Sequence, residues 1–185
     1  MAKVLIPLAN GFEDIEAITV IDILRRGGMT VVTASIHDTL EVRSAHGIVM
    51  QADALFSKAA DEPYEAIVLP GGGEGTENLK ASEQVIARLQ RQKAEGKYLC
   101  AICAAPTVLV AAGVLDPDQH VTCYPTCQME LDREWVPQPV VAHGDVITGQ
   151  APGSAMLFGL VVLQHLAGEA AARKVARGMV TDVFD

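Results

Sequence analysis

The sequence predicts an α/β sandwich around a mostly parallel central sheet, with hairpins at the sheet edges. Three observations predict it. Apolar runs of strand length recur along the chain, helix-patterned segments separate them, and the runs carry little polar alternation, as strands covered on both faces do.

The elements follow in chain order. "KVLIPL" (3–8) reads as the first strand. Residues 12–26 place Ile15, Ile18 or Thr19, Ile23 and Leu24 at helical spacing, end in Arg25 and Arg26, and stop at Gly27-Gly28, so they read as one helix. "TVVTAS" (30–35), "AIVLP" (66–70), "YLCAI" (98–102) and "HVTCY" (120–124) extend the parallel core. Two stretches depart from this rhythm: "EVRSAHGIVMQA" (41–52), with a turn at His46-Gly47, and "PVVAHGDVITGQ" (139–150), with one at Gly144-Asp145. Both read as antiparallel hairpins at the edges. Further helices are expected over 82–95, 106–112 with Pro106 in its first turn, 154–166, and from 169 onward. No repeat or linker divides the chain, so residues 1–185 read as one domain.

Composition narrows the partners. Half of the 185 residues are hydrophobic, enough for a full core, and 14 Lys plus Arg stand against 23 Asp plus Glu, a formal net charge of -9. Such a surface repels a phosphate backbone, which argues against nucleic acid. No apolar run is long enough to span a membrane and the N-terminus has no signal core, so a cytoplasmic location is expected. Reduced thiols follow from that location, and the four cysteines are expected to be buried, catalytic or metal-bound rather than paired.

Cys100, Cys103, Cys123 and Cys127 form C-x2-C, nineteen residues, then C-x3-C, close to a zinc-ribbon spacing. The apolar "CAIC" continues a strand where a zinc knuckle needs a tight turn, so no metal is expected. A thioredoxin-like pair fails for a related reason, since Cys100 lies inside the strand and reads as core. Cys103 lies where the strand gives way to a helix. There, free backbone amides and the helix dipole favour a thiolate, as in a nucleophile elbow with sulfur in place of oxygen; filling space beneath a loop is the plainer alternative. Two other loops are expected at the same sheet edge. "GGGEG" (71–75) can aim amide donors at an oxyanion or be simply a flexible connection, and "NGFEDIE" (10–16) carries three carboxylates. Glu13 and Asp14 fit solvated partners of the helix dipole, whereas Glu16 falls on a partly inward face. Cys123 and Cys127 are either small buried residues or, if "TCYPTC" folds over the site, resolving thiols.

Four motifs in order, "NGFEDIEA" with "DILRRGG", "VLPGG", "AICAAP" and "GQAPGSA", make the chain resemble the ThiJ/PfpI superfamily, on the branch of the parkinsonism-associated protein deglycase and bacterial YajL. The resemblance implies a flavodoxin-like three-layer sandwich that dimerises, with the first helix in the interface. It implies no cofactor, a Cys103 nucleophile hydrogen-bonded to a protonated Glu16, and oxyanion donors in the amides of Gly72 and Ala104. The implied substrate is a small dicarbonyl, as for a glutathione-independent glyoxalase, or a glycated protein, as for a deglycase. A redox-sensing chaperone or binding protein is the alternative. Protease-type members carry His after the nucleophile; Ala104 stands there here and removes a Cys-His dyad. Tyr124 occupies the "TCYP" position where some relatives place His beside the site. His46 stands where an arginine is usual, which would weaken an anion contact to an oxidised cysteine or make it pH-dependent. Both are candidate pocket residues.

Overall fold

The computed structural model describes residues 2–182. Strand β1 (Lys3–Leu8) is buried from Val4 to Leu8, and its side chains alternate between two cores. Val4, Ile6 and Leu8 join one apolar layer; Leu5 joins the other. A strand apolar at every position from Val4 to Leu8 needs cover on both faces, and helices supply it. On the first face lie α1 (Asp14–Arg26) and, near the chain's end, α6 (Ala155–Ala167) and α7 (Glu169–Gly178), which bury Val20, Ile23, Phe158, Val162 and Ala172 there.

Between them come β2 (Thr30–Ser35), β3 (Glu41–Arg43), β4 (Val49–Gln51), β5 (Ala54–Leu55), the short α2 (Phe56–Ala59), β6 (Ala66–Leu69), α3 (Gly73–Ala81), α4 (Glu83–Ala94), β7 (Tyr98–Ile102) and α5 (Pro106–Ala111). Phe56, Leu79, Val85, Leu89 and Val108 of these helices pack against Ile67, Leu69 and Leu99 on the second face. The chain continues through β8 (His120–Val121), β9 (Glu134–Trp135), β10 (Val140–His143) and β11 (Val146–Gly149).

The main sheet has seven strands in the order β10-β11-β7-β6-β1-β2-β5, parallel except for the β10/β11 pair. Its central run, β2-β1-β6-β7-β11, is the doubly wound order of a flavodoxin-like sandwich, and the winding reverses between β1 and β6. Loops leaving the carboxyl ends of β1 and β6 meet there, the Glu13 amide donating to Gly71 O at 3.0 Å.

Two expected elements lie elsewhere. The 41–52 hairpin forms, but β3 and β4 make a separate ribbon rather than a sheet edge; β5 takes that edge. The ribbon is tied to the start of α1, where Ala45 N–H donates to the Phe12 carbonyl at 2.8 Å. "HVTCY" contributes no core strand: only His120 and Val121 are extended, and they pair with β9 in a two-stranded sheet of their own. The main-sheet register beside β7 is filled by β11, and the Thr122 amide turns instead to the Thr148 hydroxyl at 2.9 Å. The later hairpin does lie at the edge, with β10 outermost. Helix α3 occupies a stretch that reads as a flexible Gly connection, because a Gly-rich run carries little helical signal of its own.

Candidate active site

Three loops leave the carboxyl ends of β1, β6 and β7 side by side, as adjacent parallel strands require. Each brings one of the residues singled out by sequence: Glu16, Gly72 and Cys103.

Glu16 sits in the first turn of α1 with no exposed surface. The helix start fixes it, since the Glu13 carboxylate caps α1 by accepting from the Glu16 amide at 2.8 Å. Glu13 is therefore not the solvated dipole partner its position implied; it is 8% exposed. One Glu16 oxygen, Oε2, accepts the Gly71 amide at 2.8 Å. The space behind the carboxyl is lined by Ile6, Val20, Val68, Pro70 and Ile102 and has no room for water. Burial consequently pushes the Glu16 pKa from 4.5 to about 7, with the Glu13 charge adding to the rise and the Gly71 and Cys103 hydrogen bonds opposing it.

The Gly71-Gly72 turn admits no other residues. A Cβ on Gly71 would lie 2.7 Å from Glu16 Oε2 and 2.8 Å from Cys103 Cβ. Gly72 has φ of +91°, and a Cβ there would lie 2.2 Å from the Gly11 carbonyl oxygen. Glycine lets the backbone slip between the other two loops and present its amides.

Cys103 follows β7 with φ of +64°, a left-handed conformation that costs a non-glycine residue about 1 to 3 kcal/mol. Neighbours on both sides enforce it: the Cys103 amide donates to Gly149 O at 3.0 Å, and Cys103 O accepts the Tyr124 amide at 2.8 Å. The sulfur faces Glu16 and the amides of Ala104 and Gly72, and the residue is 9% exposed. This is not the simple low-pKa thiolate that a strand-to-helix junction predicts. Helix α5 has only six residues, so its dipole is small, and burial pushes the thiol up, followed by the Glu16 charge, while the two amides pull it down. The Glu16 contribution belongs to the ionised carboxylate. When Glu16 holds a proton the repulsion vanishes and its O–H can donate to sulfur, so the pair carries one negative charge between them. Glu16 Oε1 is buried without a close hydrogen-bond partner among the described residues, so the contact between the Glu16 carboxyl and the Cys103 thiol is loose.

The remaining candidates divide. Tyr124 touches the site through its backbone, and its side chain is exposed. His46 is paired elsewhere: its Nδ1 lies 2.7 Å from Asp14 Oδ2, and that hydrogen bond raises its pKa. Burial raises Asp14, but hydrogen bonds from Ser44 and His46 outweigh it and hold Asp14 below its ordinary value. Glu13, Asp14 and His46 form the one cluster with metal-ligand spacing among the described residues. Cys100 is fully buried, and burial pushes its thiol up. Cys123 is also buried, which pushes it up to about 12, while Cys127 is partly exposed. Sequence reasoning missed Gly71 as the anchor of Glu16, although the doubled glycine after "VLP" carried the signal. It also missed the Asp14–His46 pair, which spans 32 residues and leaves no local trace.

The chain resembles known proteins along nearly its whole length. It is 36% identical over 180 residues to the DJ-1 homolog B of Arabidopsis thaliana, covering 96% of this chain and 41% of that protein. It thus spans less than half the length of that relative. A protein named as a deglycase from Pyrococcus horikoshii is 33% identical over 153 residues, covering 81% of this chain and 90% of that one. The solved structure of oxidised DJ-1 from Toxoplasma gondii superposes with a TM-score of 0.94 at 36% identity, covering 98% of this chain and all of that one. Residues 2–165 match the DJ-1/PfpI family pattern, and the chain belongs to the DJ-1/PfpI family.

Proposed function

We propose that the chain is a cysteine-dependent enzyme acting on reactive dicarbonyls or on their early protein adducts. The observation that carries this reading is the buried Glu16 carboxyl, with its pKa raised to about 7, beside a sulfur that faces two backbone amides. The relative named as a deglycase supports it.

In the first step the Cys103 sulfur adds to an aldehyde carbon. A C–S bond forms, and the carbonyl π electrons move to oxygen, where the Gly72 and Ala104 amides stabilise the developing charge and Glu16 supplies the proton. With methylglyoxal, Glu16 then carries a proton from the former aldehyde carbon to the neighbouring carbonyl carbon, while the hydroxyl proton passes from the first oxygen to the second, leaving a lactoyl thioester on sulfur. Water releases the acyl group from sulfur as lactate, so methylglyoxal and water balance lactic acid with no outside oxidant. Ala104 leaves the sulfur without an adjacent histidine, which disfavours peptide hydrolysis.

A second reading has its own observation. The conformation that exposes sulfur to two amide donors would also hold a cysteine sulfinate, and a relative is known in an oxidised form. In that reading Cys103 is a sensor in a redox-responsive chaperone or binding protein.

The working unit is proposed to be one domain that dimerises in the cytoplasm, through α1 and the β3–β4 ribbon. Ile15, Ile18, Ile48 and Val49 are exposed there, between 47% and 56%. The deciding experiment is lactate formation from methylglyoxal without glutathione. Wild type should produce lactate, and Cys103→Ser should not. Equal rates for the two would move the protein to the sensor reading.

A further inference from the structure

On the second face of the sheet, a cleft of about 390 Å³ opens between α2 and α4. That volume falls within the range of small-molecule sites, about 300 to 1,000 Å³. Ser57 and Ala60 line one wall; Gln84, Ala87, Arg88 and Arg91 line the other. Arg88 is 4% exposed, yet its Nε and Nη1 have no hydrogen-bond partner among the described residues. Its other contacts are loose. Nη2 donates to Glu62 O at 3.5 Å, Nη1 lies 3.9 Å from Glu95 Oε2, and the guanidinium sits 5.8 Å from the Tyr64 ring centre.

A buried guanidinium is stable when acceptors satisfy it, and leaving its donors empty is destabilising, the more so for a charged group. Tyr64 supplies a ring face, but no oxygen reaches Nε. Arg91 brings a second cation to the same cleft, half-exposed and paired with Glu95 at 2.7 Å and Asp61 at 3.7 Å. Asp61 opposes an anion, but its side chain is 98% exposed and free to swing away. Two arginines converging on a cleft of a chain whose formal net charge is -9 run against the surrounding field, and planar forked donors match planar or tetrahedral oxyanions.

We propose that this cleft binds a small oxyanion, a phosphate or carboxylate group on a compact molecule, through Arg88 and Arg91 with the Ser57 hydroxyl as a further donor. The site is separate from Cys103: Arg88 lies midway along α4, the helix that leads into the start of β7, whereas Cys103 follows the other end of that strand.

The test titrates the isotopically labelled full chain with inorganic phosphate and, separately, with acetate, using chloride at matched ionic strength as reference and reading nitrogen–proton resonances. The Arg88 Nε–H and the amides of Ser57 and Ala87 should shift saturably with one of the two anions and not with chloride. Tighter phosphate binding assigns the phosphate class, and tighter acetate binding the carboxylate class. Ala87→Glu places a carboxylate in the cleft from an exposed position, and it should weaken binding by about tenfold or more, as should Arg91→Gln. Neither should change dicarbonyl turnover. Arg88→Met should abolish binding, and if it fails to fold the two exposed variants carry the test. Shifts that chloride reproduces, or that persist unchanged in Ala87→Glu, overturn the proposal.

Discussion

At the scale of single residues, Cys103 and Glu16 cannot be assigned protons independently, and two predictions follow from their coupling. Exposure alone favours Cys127 as the first thiol to react, since Cys103 is 9% exposed and Cys127 is only partly covered. Amide donors and a proton-holding neighbour favour Cys103, and peptide mapping after limiting iodoacetamide should find it alkylated first. The second prediction concerns pH. Because the folded-state pKa of Glu16 is raised from 4.5 to about 7, the native protein keeps a proton that the unfolded chain releases between those values. Stability is therefore undiminished below about 4.5 and falls as pH rises through about 7, by up to about 3 kcal/mol. Glu16→Gln removes that fall. Urea denaturation at pH 5 and pH 8 should show the variant gaining on wild type at the higher pH, whereas parallel profiles would mean the carboxyl is not the buried acid described. Periodicity indicated that Glu16 faces inward, but it could not give the size of its desolvation, which depends on Val68 and Ile102 arriving from other strands.

At the scale of elements, the Gly71–Gly75 run joins β6 to α3 and threads between the other two loops, and neighbouring glycines in it have opposite demands. Gly72→Ala would meet the Gly11 carbonyl oxygen at 2.2 Å with φ of +91°, so it should lower the melting temperature markedly and disorder the site. Gly73→Ala meets nothing within 4 Å in the first turn of α3. It should be neutral or stabilising by up to about 1 kcal/mol, and thermal melts of the two variants check the contrast. The strands that are apolar on both faces were legible because period and length specify them. "HVTCY" was not, since a run of that composition fits a core strand equally well, and competition from β11 for the place beside β7 decided the outcome. The β3–β4 ribbon was legible as a hairpin but not in its place, which depends on contacts with Phe12 thirty residues earlier.

At the scale of the whole molecule, the order β2-β1-β6-β7-β11 brings three distant sequence segments together, and the proposed dimer would cover the apolar surface of Ile15, Ile18, Ile48 and Val49. Ile18→Glu and Ile48→Glu together should shift sedimentation from dimer to monomer, and an unchanged profile would place the interface elsewhere. The motif order made the fold readable in advance, and the structure brings Cys103, Glu16 and Gly72 together. Arg88 was not readable, because an arginine in an amphipathic helix looks like any solvated charge until Tyr64 and Glu62 close over it. The central claim is that Cys103 and Glu16 act as one unit, and a double-mutant cycle on lactate formation from methylglyoxal tests it most directly. Glu16→Gln should lower the rate by about 100-fold to 10,000-fold with the fold intact, Cys103→Ser should abolish it, and the double variant should be no worse than Cys103→Ser alone. A Glu16→Gln protein that turns over methylglyoxal at the wild-type rate would contradict the account.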